Sequence, residues 1–158
     1  MPVIYNGNPK DVEYSPYADA RIGRQVILEA GSGFYARRGG GTQSGPHSCY
    51  YLSVDNYDGI LTLYRVSPTG AGTQLASYQQ TDRQEWLDER FWLQCVGSTI
   101  KCYNRLTPVE RISVTDATYT TGGWGYLQVT YFEDLSAPEG VPASVFGSIN
   151  ALGRRLVT

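Results

Sequence analysis

Apolar and polar residues alternate along most of this chain with a period of two. The clearest instance is the stretch 90–103, RFWLQCVGSTIKCY. Phe91, Leu93 and Cys95 fall on one side of the first half, and Trp92, Gln94 and Val96 on the other. After Gly97-Ser98, Ile100 and Cys102 share a side, while Thr99, Lys101 and Tyr103 take the opposite one. Successive side chains of a strand point to opposite faces, so each half has one core face and one outer face. Gly and Ser at the junction supply the backbone that a tight reversal needs. The pattern predicts a β-hairpin whose Phe91, Leu93, Cys95, Ile100 and Cys102 face the core.

The rest of the chain follows the same rule. Residues 21–30 (RIGRQVILEA) read as a first strand, turned by Gly31-Ser32-Gly33, with Phe34-Tyr35-Ala36-Arg37-Arg38 starting the next. The loop 39–47 carries four glycines and a proline. A glycine loop cradles phosphate when a strand precedes it and a helix follows. Here a strand, 49–54 (CYYLSV), follows, so the loop reads as a strand connection. Asp55-Asn56-Tyr57-Asp58-Gly59 is a turn of the Asp-Gly type, and 60–66 (ILTLYRV) the strand after it. SPTGAG at 67–72 reverses the chain into 74–78 (QLASY). The charged segment 81–89 reads as an outer connection anchored by Trp86. Beyond the hairpin, 110–114 (ERISV) and 124–132 (WGYLQVTYF) complete the set.

Many short strands with turn signals at near-regular spacing, and no long helical period, predict an all-β sandwich or jelly roll. Residues 1–20 and 133–158 lack that pattern and read as irregular arms around a sandwich domain at 21–132. For the N-terminal arm two readings stay open: a solvated leader, or an arm docked on a neighbouring subunit.

Composition sharpens this picture only in places. At 158 residues the chain suits one domain, which buries roughly 70% of its unfolded surface. Eighteen glycines and 13 tyrosines against a single methionine fit many turns and half-buried strand positions. A formal charge of -2 gives no basic footprint for nucleic acid. No apolar run approaches the ~20 residues of a membrane span, and no basic region leads into an apolar one at the N-terminus, so no secretory signal is expected. Cys49, Cys95 and Cys102 lack metal-type spacing. Cys95 and Cys102 share the inward side of the hairpin; a disulfide between them is conceivable, and reduced core thiols are the better reading.

The order of blocks carries a resemblance. YARRGG, YYLSVDNYDGILTLYRV, TQLAS, FWLQCVGSTIKCYN, SVTDATY and TGGWGYLQV, spread over 33–129, resemble the concanavalin A-like lectin/glucanase (LamG-like) jelly rolls of phage and bacterial proteins. The resemblance implies two antiparallel sheets packed face to face. The chain departs from it where Arg105-Leu106-Thr107-Pro108 replaces the usual Asn-Gly turn, and where the N-terminal strand block is short.

Catalytic groups are not evident. Glycoside hydrolysis needs two carboxyls roughly 5–9 Å apart, and no strand carries an acid-x-acid pair on one face. Asp88 and Glu89 lie in a connection, and Glu133-Asp134 follow the last strand. His47 is the one histidine, in a Gly/Pro loop, and Ser44 and Ser48 beside it lack an orienting acid, so no triad or histidine metal site is built. Calcium needs several converging oxygens. Asp55, Asn56 and Asp58 are the one cluster of that look, and an Asx turn explains them better. No cofactor is expected. For sugar, Tyr57, Trp124, Tyr126 and Tyr131 are the leading aromatic candidates, with Tyr50, Tyr64 and Tyr103 behind them.

The leading expectation is therefore a non-catalytic virion structural or surface protein, a capsid decoration or tail-associated module made in the host cytoplasm. It would assemble with copies of itself or other virion proteins through its arms. The alternative is a carbohydrate-binding module or adhesin that recognises a cell-surface glycan through exposed aromatics.

Overall fold

The computed structural model describes residues 10–13, 19–25, 28–39, 48–55, 58–80, 90–105, 107–129 and 134–136. They form eleven strands: β1 Lys10–Glu13, β2 Ala20–Gln25, β3 Leu28–Arg38, β4 Cys49–Asp55, β5 Ile60–Val66, β6 Gly72–Gln79, β7 Arg90–Val96, β8 Thr99–Asn104, β9 Val109–Thr115, β10 Gly123–Val129 and β11 Asp134–Ser136. All pairings are antiparallel. One sheet runs β1-β10-β3-β4-β5-β6, the other β11-β2-β7-β8-β9. The fold is the two-sheet antiparallel sandwich that the alternation predicts.

The hairpin forms as its pattern dictates. Cys95 pairs with Ile100 and Leu93 with Cys102. Gly97 takes φ 57 while Ser98 stays out of the left-handed region, which suits a two-residue turn with glycine first. Phe91, Leu93, Cys95, Ile100 and Cys102 join Ile22, Phe34, Tyr50, Leu52, Leu61, Leu63 and Trp124 in the core between the sheets. The three cysteines are free buried thiols, and burial pushes the Cys95 thiol up to about 12.

Three expectations change. Gly31-Ser32-Gly33 does not turn the chain; it lies inside β3, an eleven-residue strand. The reason is close approach. A Cβ on Gly33 would stand 2.2 Å from the Leu52 carbonyl oxygen and 2.7 Å from the Tyr51 ring, so the glycine admits Tyr51 across the sheet. The single strand expected at 21–30 is correspondingly two, β2 and β3, in different sheets.

The arms, expected to be irregular, each contain a strand. β1 pairs with β10 and β11 with β2, so both lie at sheet edges. Edge pairing rests on main-chain hydrogen bonds and needs no apolar alternation. The assembly role expected of the arms falls largely on residues 1–9 and 137–158, outside the described residues.

Candidate functional site

Among the described residues, the aromatics singled out from the sequence are buried or half-buried. Trp124 is fully buried in the core. Gly123 and Gly125 flank it and give no polar phase to mark its face, and the pleat turns it inward. Tyr126, two residues on, shares that face and packs half-buried against the same core. Trp124 is thereby corrected from a ligand candidate to a packing residue. Tyr50 also points inward and is fully buried. Tyr103 lies on the outer phase of β8 yet is only 2% exposed, with the Arg21 guanidinium 4.5 Å from its ring centroid and 5.1 Å from that of Trp92. Tyr64 is half-buried on the outer face of its sheet, beside Tyr35 and Tyr51. Tyr57, Tyr131, His47 and Asn56 lie outside the described residues. The Asp55 carboxylate accepts the Asp58 N–H at 3.2 Å, a side-chain cap on the turn.

Chemistry instead gathers at the two ends of the sandwich. At the end where β7 turns into β8, a bulge in β3 opposite β10 places one extra residue between Tyr35 and Arg38. It re-aims Arg37, which sits at φ 53 and is 1% exposed. A left-handed conformation costs an ordinary residue roughly 1–2 kcal/mol. Here it is offset by three hydrogen bonds: Arg37 donates to the Gly97 carbonyl at 2.7 Å, the Tyr119 carbonyl at 3.0 Å and Asp19 Oδ1 at 3.1 Å. Asp19 Oδ1 also accepts the Gly97 N–H at 2.8 Å. Gly122, at φ 139, has no room for a Cβ, which would meet the Arg38 carbonyl oxygen at 2.5 Å.

Beside this clamp, the Tyr50 hydroxyl donates to Asp116 Oδ1 at 2.7 Å and accepts the Tyr119 N–H at 3.1 Å. Thr118 N–H donates to the same carboxylate at 2.9 Å, and Arg65 pairs with its other oxygen. Burial alone would raise the Asp116 carboxyl, but the donors from Tyr50, Thr118 and Arg65 outweigh it and bring it down to about 2. Burial pushes the Tyr50 phenol up to about 12. Tyr119 adds a hydroxyl bond to the Val66 carbonyl at 2.8 Å and an edge contact with the Tyr50 ring, centroids 5.4 Å apart. These groups bind one another. The end is closed.

The opposite end differs. There β6 and β9, edge strands of different sheets, meet where the Arg111 guanidinium lies 4.8 Å from the Tyr78 ring centroid. A bulge in β9 between its partners to Cys102 and Tyr103 frees Arg111 from strict alternation. Arg111 Nε donates to Asn104 Oδ1 at 2.8 Å. Asn104 shares the inward phase of β8 with Ile100 and Cys102 and is fully buried. Its other amide atom, Nδ2, is a buried donor without a partner. Gln80 is two residues past Tyr78, on the same inward phase, and 5% exposed. Its N–H donates to the Gly59 carbonyl at 2.8 Å, while its Oε1 is a buried acceptor without a partner.

A buried polar atom left unmatched costs roughly 1–3 kcal/mol. One unmatched donor and one unmatched acceptor thus lie at the same end of the sandwich. Among the described residues, no three His, Cys, Asp or Glu side chains converge as a metal group would require. Sequence signals for this site exist in part. Asn104 is a polar residue in the core phase of an otherwise apolar strand, which is an anomaly. Gln80 extends the phase of Ala76 and Tyr78 in the same way.

No protein-family model matches the chain, and no curated protein matches it in sequence. Among solved structures it is similar to the carbohydrate-binding module CBM66 from Bacillus subtilis, with a TM-score of 0.57 and 15% identity, over 77% of this chain and 75% of that one. At that identity the likeness is one of fold, a β-sandwich.

Proposed function

We propose that this chain is a non-catalytic carbohydrate-binding module, and that its ligand binds at the end of the sandwich where β6 and β9 meet. The observation that carries the reading is that Asn104 Nδ2 and Gln80 Oε1, both at that end, are buried without a hydrogen-bond partner. Sugar sites combine a few well-placed amide and guanidinium groups with an aromatic wall, and Asn104, Gln80, Arg111 and Tyr78 are such a set. The similarity of the fold to a carbohydrate-binding module is a second support, and an associational one. Assembly into a virion, the leading expectation from the sequence, was placed on the arms, which lie largely outside the described residues.

The test is a broad glycan array probed with the whole chain and with Arg111→Ala. Removing the guanidinium releases Asn104 from its hydrogen bond and strips the Tyr78 wall, so affinity is expected to fall on the order of tenfold or more. Incubation with the bound glycan should release no reducing ends. A chain that binds nothing on the array contradicts the reading.

A further inference from the structure

Exposure within the strands is concentrated on one side of the sandwich. Among the strand residues whose burial is described, only those of β6 and β9 include exposed ones. These are Thr73, Gln74, Ser77 and Gln79 on β6, and Val109, Glu110, Ser113 and Thr115 on β9. Both are edge strands, and an edge offers a row of main-chain donors and acceptors to any strand that lies beside it. Short length, charged side chains and proline are the usual means of blunting an edge. Three of the four edges have them. β1 is four residues long and carries Lys10, Asp11 and Glu13, and β11 is three residues long with Asp134. β9 carries Glu110 and Arg111, with Glu110 bound to Lys101 at 2.6 Å. β6, GTQLASYQ, is eight residues long without a charge or a proline.

We infer that β6 is a dimerisation edge, on which a second copy of this chain pairs its own β6 antiparallel about a two-fold axis. The register of β6 with β5 steps at Leu75, a bulge, and then runs unbroken through Ala76, Ser77, Tyr78 and Gln79. The pairing falls on that straight run. A two-fold axis sets a strand against itself, so any charge on it would meet its like. β6 has none to meet. The Ser77 hydroxyl and the Gln79 amide each donate and accept, so the strand is complementary to its own copy in hydrogen bonding as well. Joining two copies in this way makes one continuous sheet whose outer edges are both β1. Those edges are short and charged, so association closes at two copies and does not run on into a fibre.

The experiment is sedimentation of the whole chain over a wide range of concentration, beside three variants. Ser77→Lys and Ser77→Glu set like charges near the axis, and Ser113→Lys puts the same charge on the β9 edge as a control. Both positions are exposed, so thermal midpoints should match the parent. The expected result is a reversible monomer–dimer equilibrium. Either charge at Ser77 weakens it on the order of tenfold or more, and Ser113→Lys leaves it unchanged. Amide exchange of the unaltered chain is a second readout that needs no variant: residues 76–79 should become more protected as concentration rises. A monomer at every concentration overturns the inference, and so does exchange in 76–79 that ignores concentration. A dimer indifferent to charge at Ser77, or weakened equally by Ser113→Lys, overturns β6 as its edge. Growth beyond two copies overturns the two-fold closure. A monomer that binds glycan removes only the dimer, and a dimer that binds none removes only the glycan reading.

Discussion

The two ends of this sandwich carry the same kinds of residue and use them in opposite ways. Each has an arginine set by a bulge, a tyrosine ring and a side chain that fixes the guanidinium. At the closed end, Arg37 is spent on two carbonyls and Asp19, and Asp116 is surrounded by Tyr50, Thr118 and Arg65. At the open end, Arg111 binds one oxygen of Asn104 and the neighbouring amide atoms stay unmatched. Polar residues in a core are thus not equivalent. A satisfied network holds strands together; an unsatisfied one waits for a partner.

That contrast breaks most visibly at Arg37. Arg37→Met leaves the Gly97 and Tyr119 carbonyls without their donor and keeps a left-handed backbone with nothing to offset it. It is expected to lower unfolding free energy by about 3–5 kcal/mol, read from denaturant midpoints. A loss below about 1 kcal/mol would show that the clamp is dispensable and that the two ends differ less than their hydrogen bonds suggest.

The next effect is on pH dependence. Asp116 has a folded pKa of about 2, below its ordinary value of 3.8. Its contribution is therefore fully present above pH ~4 and lost as pH falls through about 2, an effect of roughly 2 kcal/mol. Tyr50 works in the reverse sense. Its phenol is raised from 10 to about 12, so its contribution is present below pH ~10 and lost as pH climbs toward ~12. Unfolding curves across pH should show both flanks, and Asp116→Asn should flatten the acidic one. An unchanged acidic flank in that variant would place the acid sensitivity elsewhere.

The smallest effect is expected at the open end. Gln80→Met replaces an unmatched buried carbonyl oxygen by an apolar group, so stability should stay within about 0.5 kcal/mol or rise. A loss above about 2 kcal/mol would mean that Gln80 is as structural as Arg37, and would dissolve the distinction between the ends.

What could be read in the sequence follows the same physics. The hairpin from β7 to β8 was legible because apolar side chains alternate with others, and burial enforces that alternation. Glycine is ambiguous: the same residue permits a reversal and permits close approach, and at Gly33 the second holds, under Tyr51. β1 and β11 had no side-chain pattern because edge pairing is made by main chain alone. Trp124 sits between glycines, where no polar neighbour marks the outer phase, and its aromatic bulk signals a surface platform and a core equally well. At the open end, Asn104 was visible as a polar break in the run Ile100, Cys102. Its meeting with Arg111 was not, because a bulge decides where Arg111 points. The approach of Tyr78 requires two edge strands of different sheets to come together, which no local pattern encodes.

The most direct measurement is a nitrogen–proton correlation spectrum of the whole chain titrated with an oligosaccharide bound on the array. The Asn104 side-chain amide protons are themselves the proposed donor, so they should shift with the ligand, together with the backbone amides of Gln80 and Arg111. The amides of Gly97 and Tyr119 at the closed end should stay in place. Shifts centred on the closed end or on the outer sheet faces, with the Asn104 amide unmoved at saturation, would contradict the account.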